Sequence, residues 1–259
     1  MKNYTLSWFS CGVTSAVATK LALSMFDNVR IIYIDTGTCH VDNIRFIEDC
    51  SKWFGQTIEV IKSPYYADIY DVFSKHRFIN SPFGAPCTLH LKKNVRKVFE
   101  KDNPNFERQI FGFDFSLNEV NRAVRFKQQN PSAKPFFPLI ERKITKEECM
   151  ALLLKANIEI PSMYKLGYSN NNCIGCVKGG ISYWNKIRID FPRYFNKMAQ
   201  MERYCNGSCL KDDNGPIFLD ELDPERGQGL KPIIPSCSLF CDIEFADIID
   251  TETIQIMNV

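Results

Sequence analysis

The chain has 259 residues, of which 45% are hydrophobic and 24% charged, an ordinary globular composition that argues against intrinsic disorder. This length suits one large α/β domain, or a domain with a smaller appendage. The net charge is +2, so bulk charge favours no particular partner. No apolar run is long enough to span a membrane, and the first residues, MKNYTLSWFSC, lack the apolar segment of a signal peptide. We therefore expect a cytoplasmic protein with no membrane partner.

Short apolar runs alternate with helical patterns through residues 1–157. In chain order, strands or extended segments are expected at 4–9, 29–37, 57–63, 108–113 and 134–141. Helices are expected at 14–26, 41–55, 67–76, 88–101, 117–129 and 145–158. In the second helix, Ile44, Ile47, Cys50 and Phe54 fall on one side. The alternation predicts an α/β fold, a doubly wound parallel sheet of the Rossmann-like type.

The sequence changes character after residue 157. Residues 159–180 are loop-like, 182–204 are helical with a break at Pro192, 215–222 favour a strand, and 223–236 form a polar loop. Six of the eleven cysteines lie in this part of the chain. We therefore divide the chain into an α/β domain at 1–157 and a smaller cysteine-rich region at 158–259.

The turn between the first strand and the first helix, SCGVTS at residues 10–15, is the first candidate site. In a parallel sheet this turn lies at the carboxyl edge, where the helix N-terminus offers free amide groups to an anion. Gly12 lets the backbone approach closely, and Ser10, Thr14 and Ser15 add hydroxyl groups. Neither a Walker A motif nor the three-glycine dinucleotide motif is present. The turn therefore suits a phosphate or pyrophosphate, although a turn that only caps the helix is the alternative.

The pattern Ser-x-Gly-x-x-Ser resembles the pyrophosphate loop of the adenine-nucleotide α-hydrolase superfamily, which includes ATP pyrophosphatases and phosphoadenylyl-sulfate (PAPS) reductases. Three later segments resemble that superfamily in the same order: YIDTG at 33–37, APCTLHLKK at 85–93 and NEVNRAVRF at 118–126. The resemblance implies a nucleotide site built from Ser10, Cys11, Gly12, Val13, Thr14, Ser15, Asp35, Thr36, Gly37, Cys87, Lys92, Glu119 and Arg122. Within that set, it implies catalytic roles for Ser10, Ser15, Lys92 and Arg122.

Two loop positions depart from the usual Ser-Gly-Gly-x-Asp-Ser pattern. Thr14 replaces the acid, which leaves open how Mg²⁺ is held, with Asp35 as the candidate. Cys11 replaces a glycine, at a helix N-terminus that would lower the pKa of its thiol. Cys11 is therefore either a reactive thiol or a small turn residue.

The cysteines of the last third come in three close pairs. Cys173 and Cys176 have the spacing of a metal knuckle, and we expect Cys237 and Cys241 to complete a four-thiolate site. Cys205 and Cys209 are the rival second pair, and free cysteines are the alternative. All three histidines precede this region, so an all-thiolate site would hold Zn²⁺ or a [4Fe-4S] cluster. This half of the chain resembles phage- and mobile-element-borne PAPS reductase-like proteins.

The resemblance implies an enzyme that binds ATP with Mg²⁺, cleaves the α–β phosphate bond and adenylates an acceptor, in sulfur transfer or nucleic-acid modification. The alternatives are a thiol-dependent PAPS reductase, using Cys87 or a C-terminal cysteine, and a non-catalytic nucleotide-binding module of a phage or defence system. Residues 242–259 contain neither Cys nor His, unlike the catalytic tail of such reductases. Beyond the adenine nucleotide, a nucleic acid or sulfur carrier is a possible partner because of the basic segments 90–101 and 121–127. The sequence leaves open whether the protein forms a homo-oligomer.

Overall fold

The structure is a computed structural model that describes residues 3–81 and 84–228. Its main sheet has five parallel strands in the order β3-β2-β1-β4-β5: β1 Tyr4–Trp8, β2 Val29–Asp35, β3 Glu59–Lys62, β4 Phe106–Ile110 and β5 Pro135–Phe136. The predicted doubly wound parallel sheet is confirmed. A separate antiparallel hairpin consists of β6 Leu210–Asp212 and β7 Gly215–Ile217.

Eleven α-helices are seen in the described part of the chain: α1 Val13–Met25, α2 Asn43–Phe54, α3 Ile69–His76, α4 Pro86–Thr88, α5 Asn94–Asp102, α6 Leu117–Gln129, α7 Pro138–Glu141, α8 Lys146–Lys155, α9 Ser162–Lys165, α10 Ile181–Asp190 and α11 Pro192–Cys205. A π-helical turn, Leu89–Lys93, joins α4 to α5. Two helix ends predicted from capping residues are confirmed. Gly55 ends α2 in a left-handed conformation, and Thr145 with Glu148 forms the capping box of α8.

Two hydrophobic clusters position the site. The first packs α1, α2 and α8 against the sheet and includes Phe9, Val17 and Leu153. The second joins α3 to α10 and α11, with Trp184 fully buried at its centre. The cysteine-rich region therefore packs on the α/β part of the chain, while the predicted boundary at residue 157 stays a prediction.

One predicted helix face is wrong in detail. Helix α2 buries Phe46, Cys50 and Phe54, whereas Ile44 is 66% exposed. The aromatic ring of Phe46 stacks on Phe9 at 6.0 Å, and Ile47 of the predicted stripe is partly buried against the same cluster. Among the described helices, none is long and apolar enough to cross a membrane.

Candidate functional site

The loop between β1 and α1 is held by its own serine. The Ser15 hydroxyl accepts the backbone amides of Ser10 (3.0 Å) and Gly12 (3.3 Å) and donates to the Gly12 carbonyl (2.8 Å). Ser15 is therefore buried and shapes the loop, whereas Ser10 and Thr14 face the cavity in front of it. The first turn of α1 begins here, where backbone amides have no partner within the helix, and Gly12 and Thr14 line the cavity.

Cys11 occupies the left-handed position of this loop. Its φ is 58°, a region that L-residues seldom adopt, and its side chain is completely buried in the first cluster. Burial raises the pKa of the Cys11 thiol well above its ordinary value, so the expectation that the helix dipole would lower it is wrong. The Asn171 side-chain amide donates to the Cys11 carbonyl (2.6 Å) and to the Asn43 side chain (2.8 Å). Cys11 is thus a buried turn residue whose carbonyl is held by Asn171, in the loop that precedes Cys173. Its neighbour Val13 is buried in the same cluster.

A cavity of about 560 Å³ opens at the carboxyl edge of the sheet in front of this loop. Its wall includes the loop, the end of β2, the segment after β4 with the start of α6, and the asparagine-rich stretch 170–172. Of the predicted nucleotide residues, the cavity wall includes Ser10, Gly12, Thr14, Thr36, Lys92, Glu119 and Arg122. A neighbouring cavity of about 450 Å³ shares Thr36, Lys92, Glu119 and Arg122 and adds Cys87. Segments far apart in the chain therefore meet where the resemblance implied a nucleotide.

The segment after β4 was only partly anticipated. Gly112 lies so close to the loop that a Cβ atom there would be 2.6 Å from Ser15 Cα and 2.9 Å from the Thr14 carbonyl carbon. Two residues later, Asp114 lines the cavity and is only 8% exposed. Sequence reasoning missed both residues. Their position at the end of the strand predicted at 108–113, or directly after it, was the available signal, because this is the ligand-binding edge of a parallel sheet.

Three cations lie on the cavity wall. The Arg122 guanidinium pairs with Glu119 at 3.0 Å and stacks on the Phe113 ring at 4.2 Å. Lys146 donates to the Asn170 side chain at 2.8 Å. Burial alone would lower the pKa of Lys92, but the surrounding cysteine sulfurs outweigh it and raise the pKa of this ammonium group. The wall is therefore cationic on two sides, as an anionic ligand requires.

The YIDTG segment contributes less side-chain chemistry than the resemblance implied. The Asp35 carboxylate accepts the Gly37 amide at 2.9 Å and is not part of either cavity wall. Gly37 has a φ of 73°, and a Cβ there would meet the Ala67 carbonyl oxygen, so it serves a tight turn. Thr36 does face the cavity, and its hydroxyl lies 2.9 Å from Cys173 Sγ and 3.4 Å from Cys39 Sγ.

Thr36 lies beside a group of cysteines that line the two cavities. Cys39 and Cys173 line the first cavity, and Cys87, Cys173 and Cys176 line the second. Hydrogen bonding from Cys39, with the nearby Lys92 ammonium, lowers the pKa of Cys173 below the ordinary thiol value, while burial raises the pKa of Cys87 to about 11. Sequence reasoning had left Cys39 out. Its only signal was a place four residues after the carboxyl end of β2.

The predicted thiolate metal site is divided between described and undescribed residues. Cys173 and Cys176 are placed, whereas Cys237 and Cys241 lie outside the described residues, so the four-thiolate set stays a prediction. Within residues 3–81 and 84–228, no three His, Cys, Asp or Glu side chains are arranged to hold a metal ion. The rival Cys205 instead packs against Met201, with the two sulfurs 3.7 Å apart.

Comparison with known proteins supports the resemblance. Residues 5–78 match the model of the phosphoadenosine phosphosulfate reductase domain. The uncharacterized protein MJ0973 of Methanocaldococcus jannaschii is 22% identical over 209 residues, covering 77% of this chain and 48% of that protein. The uncharacterized protein MJ0066 of the same organism is 22% identical over 208 residues, covering 78% of this chain and 42% of that protein. The chain thus spans less than half the length of these relatives.

The matched stretch contains most of β1, the β1–α1 loop, β2 and β3, and of these β1, the loop and β2 contribute residues to the cavity wall. The phage or mobile-element connection stays a prediction, since both of these relatives are archaeal. The predicted resemblance is confirmed for residues 5–78, which match the PAPS reductase domain, a member of the adenine-nucleotide α-hydrolase superfamily.

Proposed function

We propose that this protein binds ATP in the cavity at the sheet edge, cleaves its α–β phosphate bond and adenylates an acceptor. One observation carries the proposal: the β1–α1 loop, Lys92 and Arg122 line one cavity of about 560 Å³, although they are far apart in sequence. A nucleotide is the ligand class that the family implies.

In this proposal, different residues of the cavity wall bind the phosphates and maintain the shape of the loop. The phosphates lie against the first turn of α1 and the Ser10 hydroxyl, because amide donors and the helix dipole favour negative charge there. Arg122, already oriented by Glu119 and the Phe113 ring, meets the phosphates from the opposite wall. Charge that develops on the departing pyrophosphate is stabilised by these fixed donors, while Ser15 keeps the loop in shape.

Mg²⁺ supplies charge neutralisation when ATP is bound. Two carboxylates on the cavity wall fit this ion, those of Asp114 and Glu119. The carboxylate proposed from sequence, Asp35, is directed to the Gly37 amide instead.

The proposal is tested with ATP labelled in the α-phosphate, in the presence of Mg²⁺. We expect release of pyrophosphate, with the label in AMP or in an adenylated acceptor. Candidate acceptors are short nucleic acids and sulfur-carrier proteins, and Arg122→Gln serves as the impaired variant. Lys211→Gln is the control, because Lys211 is an exposed lysine of the β6–β7 hairpin outside both cavities. Bound ATP that remains intact with every acceptor would favour the non-catalytic nucleotide-binding module instead.

A second candidate, thiol-dependent reduction of a sulfonucleotide, is favoured by Cys39 and Cys173. These thiols share the Thr36 hydroxyl inside the nucleotide cavity. In this reaction the Cys173 thiolate attacks the sulfonate sulfur and displaces the nucleotide, leaving an S-sulfocysteine. The Cys39 thiolate then attacks the Cys173 sulfur, which releases sulfite and forms a disulfide that an external dithiol reduces.

Sulfite release from PAPS in the presence of a dithiol decides this second candidate. Its loss in both Cys39→Ser and Cys173→Ser, but not in Cys50→Ser, would support the reductive reaction. Cys50 is the control because it lies on the buried face of α2 and lines neither cavity.

The metal site remains a proposal of its own. Cys173, Cys176, Cys237 and Cys241 offer four thiolates, a set that suits Zn²⁺ as a structural ion or a [4Fe-4S] cluster as a redox group. Metal, iron and sulfide analysis of anaerobically purified protein, with its visible spectrum, distinguishes the two. A Cys237→Ser, Cys241→Ser double variant that retains all the metal would contradict this ligand set.

A further inference from the structure

Asp114 is a largely buried residue whose carboxylate opens onto the nucleotide cavity and has no protein partner among the described residues. The residue is 8% exposed and lines the nucleotide cavity. Among the described residues it makes neither an ion pair nor a side-chain hydrogen bond. A buried carboxylate is costly unless a hydrogen-bond donor or a cation satisfies it. The open cavity in front of Asp114 is therefore where its missing partner belongs.

The cations of the cavity wall are committed elsewhere. Arg122 pairs with Glu119 at 3.0 Å, and Lys146 donates to the Ser169 carbonyl at 3.0 Å. Lys92 faces the cysteine wall of the neighbouring cavity. None of the three forms an ion pair with Asp114. An external cation is thus the partner that the arrangement leaves room for.

The position of Asp114 relates it to the phosphate loop. Gly112, two residues earlier, lies against the loop so closely that a Cβ there would be 2.9 Å from the Thr14 carbonyl carbon. Thr14 stands where loops of this type carry an acid, and it faces the same cavity as Asp114. The segment after β4 therefore places the Asp114 carboxylate on the same cavity as the β1–α1 loop, in which Thr14 stands in place of an acid.

We propose that Asp114 replaces the missing loop acid and holds the divalent cation that accompanies the nucleotide phosphates. The inference rests on the proposed nucleotide site. Mg²⁺ and Mn²⁺ bind through one or two carboxylates together with phosphate oxygens and water. Because Glu119 is engaged by Arg122, Asp114 is the carboxylate on this wall that is free to act as the ligand.

The proposal gives Asp114→Asn two effects of opposite sign. Without metal, the carboxylate repels the phosphates, so the variant binds ATP in EDTA as tightly as wild type or more tightly. With metal, the variant loses a ligand, so Mn²⁺ affinity in the nucleotide complex falls by at least about tenfold. A purely structural role would weaken nucleotide binding under both conditions.

The experiment measures free Mn²⁺ by electron paramagnetic resonance as it is titrated into protein with α,β-methylene-ATP, and measures analogue affinity in EDTA by calorimetry. Asp35→Asn is the matched control, since its carboxylate accepts the Gly37 amide and an asparagine oxygen can do the same. Wild-type Mn²⁺ affinity in Asp114→Asn, or a loss in Asp35→Asn instead, overturns the assignment.

Failure of the underlying site has a different result, because wild-type protein would then bind no analogue under either condition. Thermal melts accompany each titration, and Asp114→Ser replaces Asp114→Asn if the latter does not fold. Removal of an unpaired buried charge is expected to leave the melting temperature unchanged or raised.

Discussion

Replacing Gly112 by alanine tests whether close contact between the segment after β4 and the β1–α1 loop sets the geometry of the candidate site. The φ of Gly112 is outside the left-handed region, so alanine meets no backbone penalty there. Its Cβ, however, would lie 2.6 Å from Ser15 Cα, where ordinary contact begins at 3.4 Å. The two segments must therefore separate by about 0.8 Å.

The expected cost follows from two opposing terms. Overpacking of this kind destabilises by about 1–3 kcal/mol, and the smaller entropy of the unfolded alanine chain returns about 0.4–1 kcal/mol. We expect a net loss of about 0.5–2 kcal/mol, visible as a urea midpoint lowered by a few tenths of a molar or more. A shift of this size in the phosphate loop should also weaken ATP binding, by about tenfold or more.

The assay pairs urea unfolding with calorimetric ATP titration. The control is Gly207→Ala, where the nearest atom to a new Cβ is 4.0 Å away and φ is again outside the left-handed region. This control should be as stable as wild type or slightly more stable. If Gly112→Ala has the midpoint and ATP affinity of Gly207→Ala, close approach at this position does not shape the site.

Three further results are expected. Hydrogen bonds from Arg45 hold the pKa of Asp42 well below its usual value, so Asp42→Asn should lower the free energy of unfolding by about 1–2 kcal/mol at pH 7. Because the depressed pKa stabilises only above the unfolded value of about 3.9, that difference should shrink below about pH 4, and a pH-independent difference would refute it. Asn171→Ala leaves the Cys11 carbonyl without its donor, so it should lower the free energy of unfolding in urea by about 1–3 kcal/mol and weaken ATP binding. An unchanged urea midpoint would show that this hydrogen bond does not stabilise the loop. Iodoacetamide should label Cys173 at a pH where ordinary thiols react slowly, with protection by ATP, and equal labelling with and without ATP would place this thiol outside the site.

The predicted fold depended on patterns that are local in sequence. Apolar runs of strand length alternate with helical periodicity, and the capping box at Thr145 and the glycine at position 55 set helix ends without help from distant residues. The same locality explains one error. On helix α2, the packing of Phe46 against Phe9, which directly follows β1, accompanies the burial of Phe46, while Ile44 is exposed.

Some residues of the candidate site could likewise be predicted from local sequence, and others could not. The phosphate loop was predicted because strand, turn and helix are consecutive, so their chemistry can be read from six residues. Asp114 and Cys39 could not be assigned, because a lone acid or thiol after a strand has no distinguishing pattern. Their importance arises from burial and from what faces them across the cavity.

The sequence alone determined the parallel α/β fold and the resemblance of the β1–α1 turn to a pyrophosphate loop, since each follows from residues close together in the chain. Only the tertiary structure decided which side chains share the cavity. It buried Cys11 away from it, directed Asp35 to a turn, and set Asp114 beside the loop that lacks an acid. The physical reason is that long-range packing, not local spacing, fixes which charges and thiols are removed from water together.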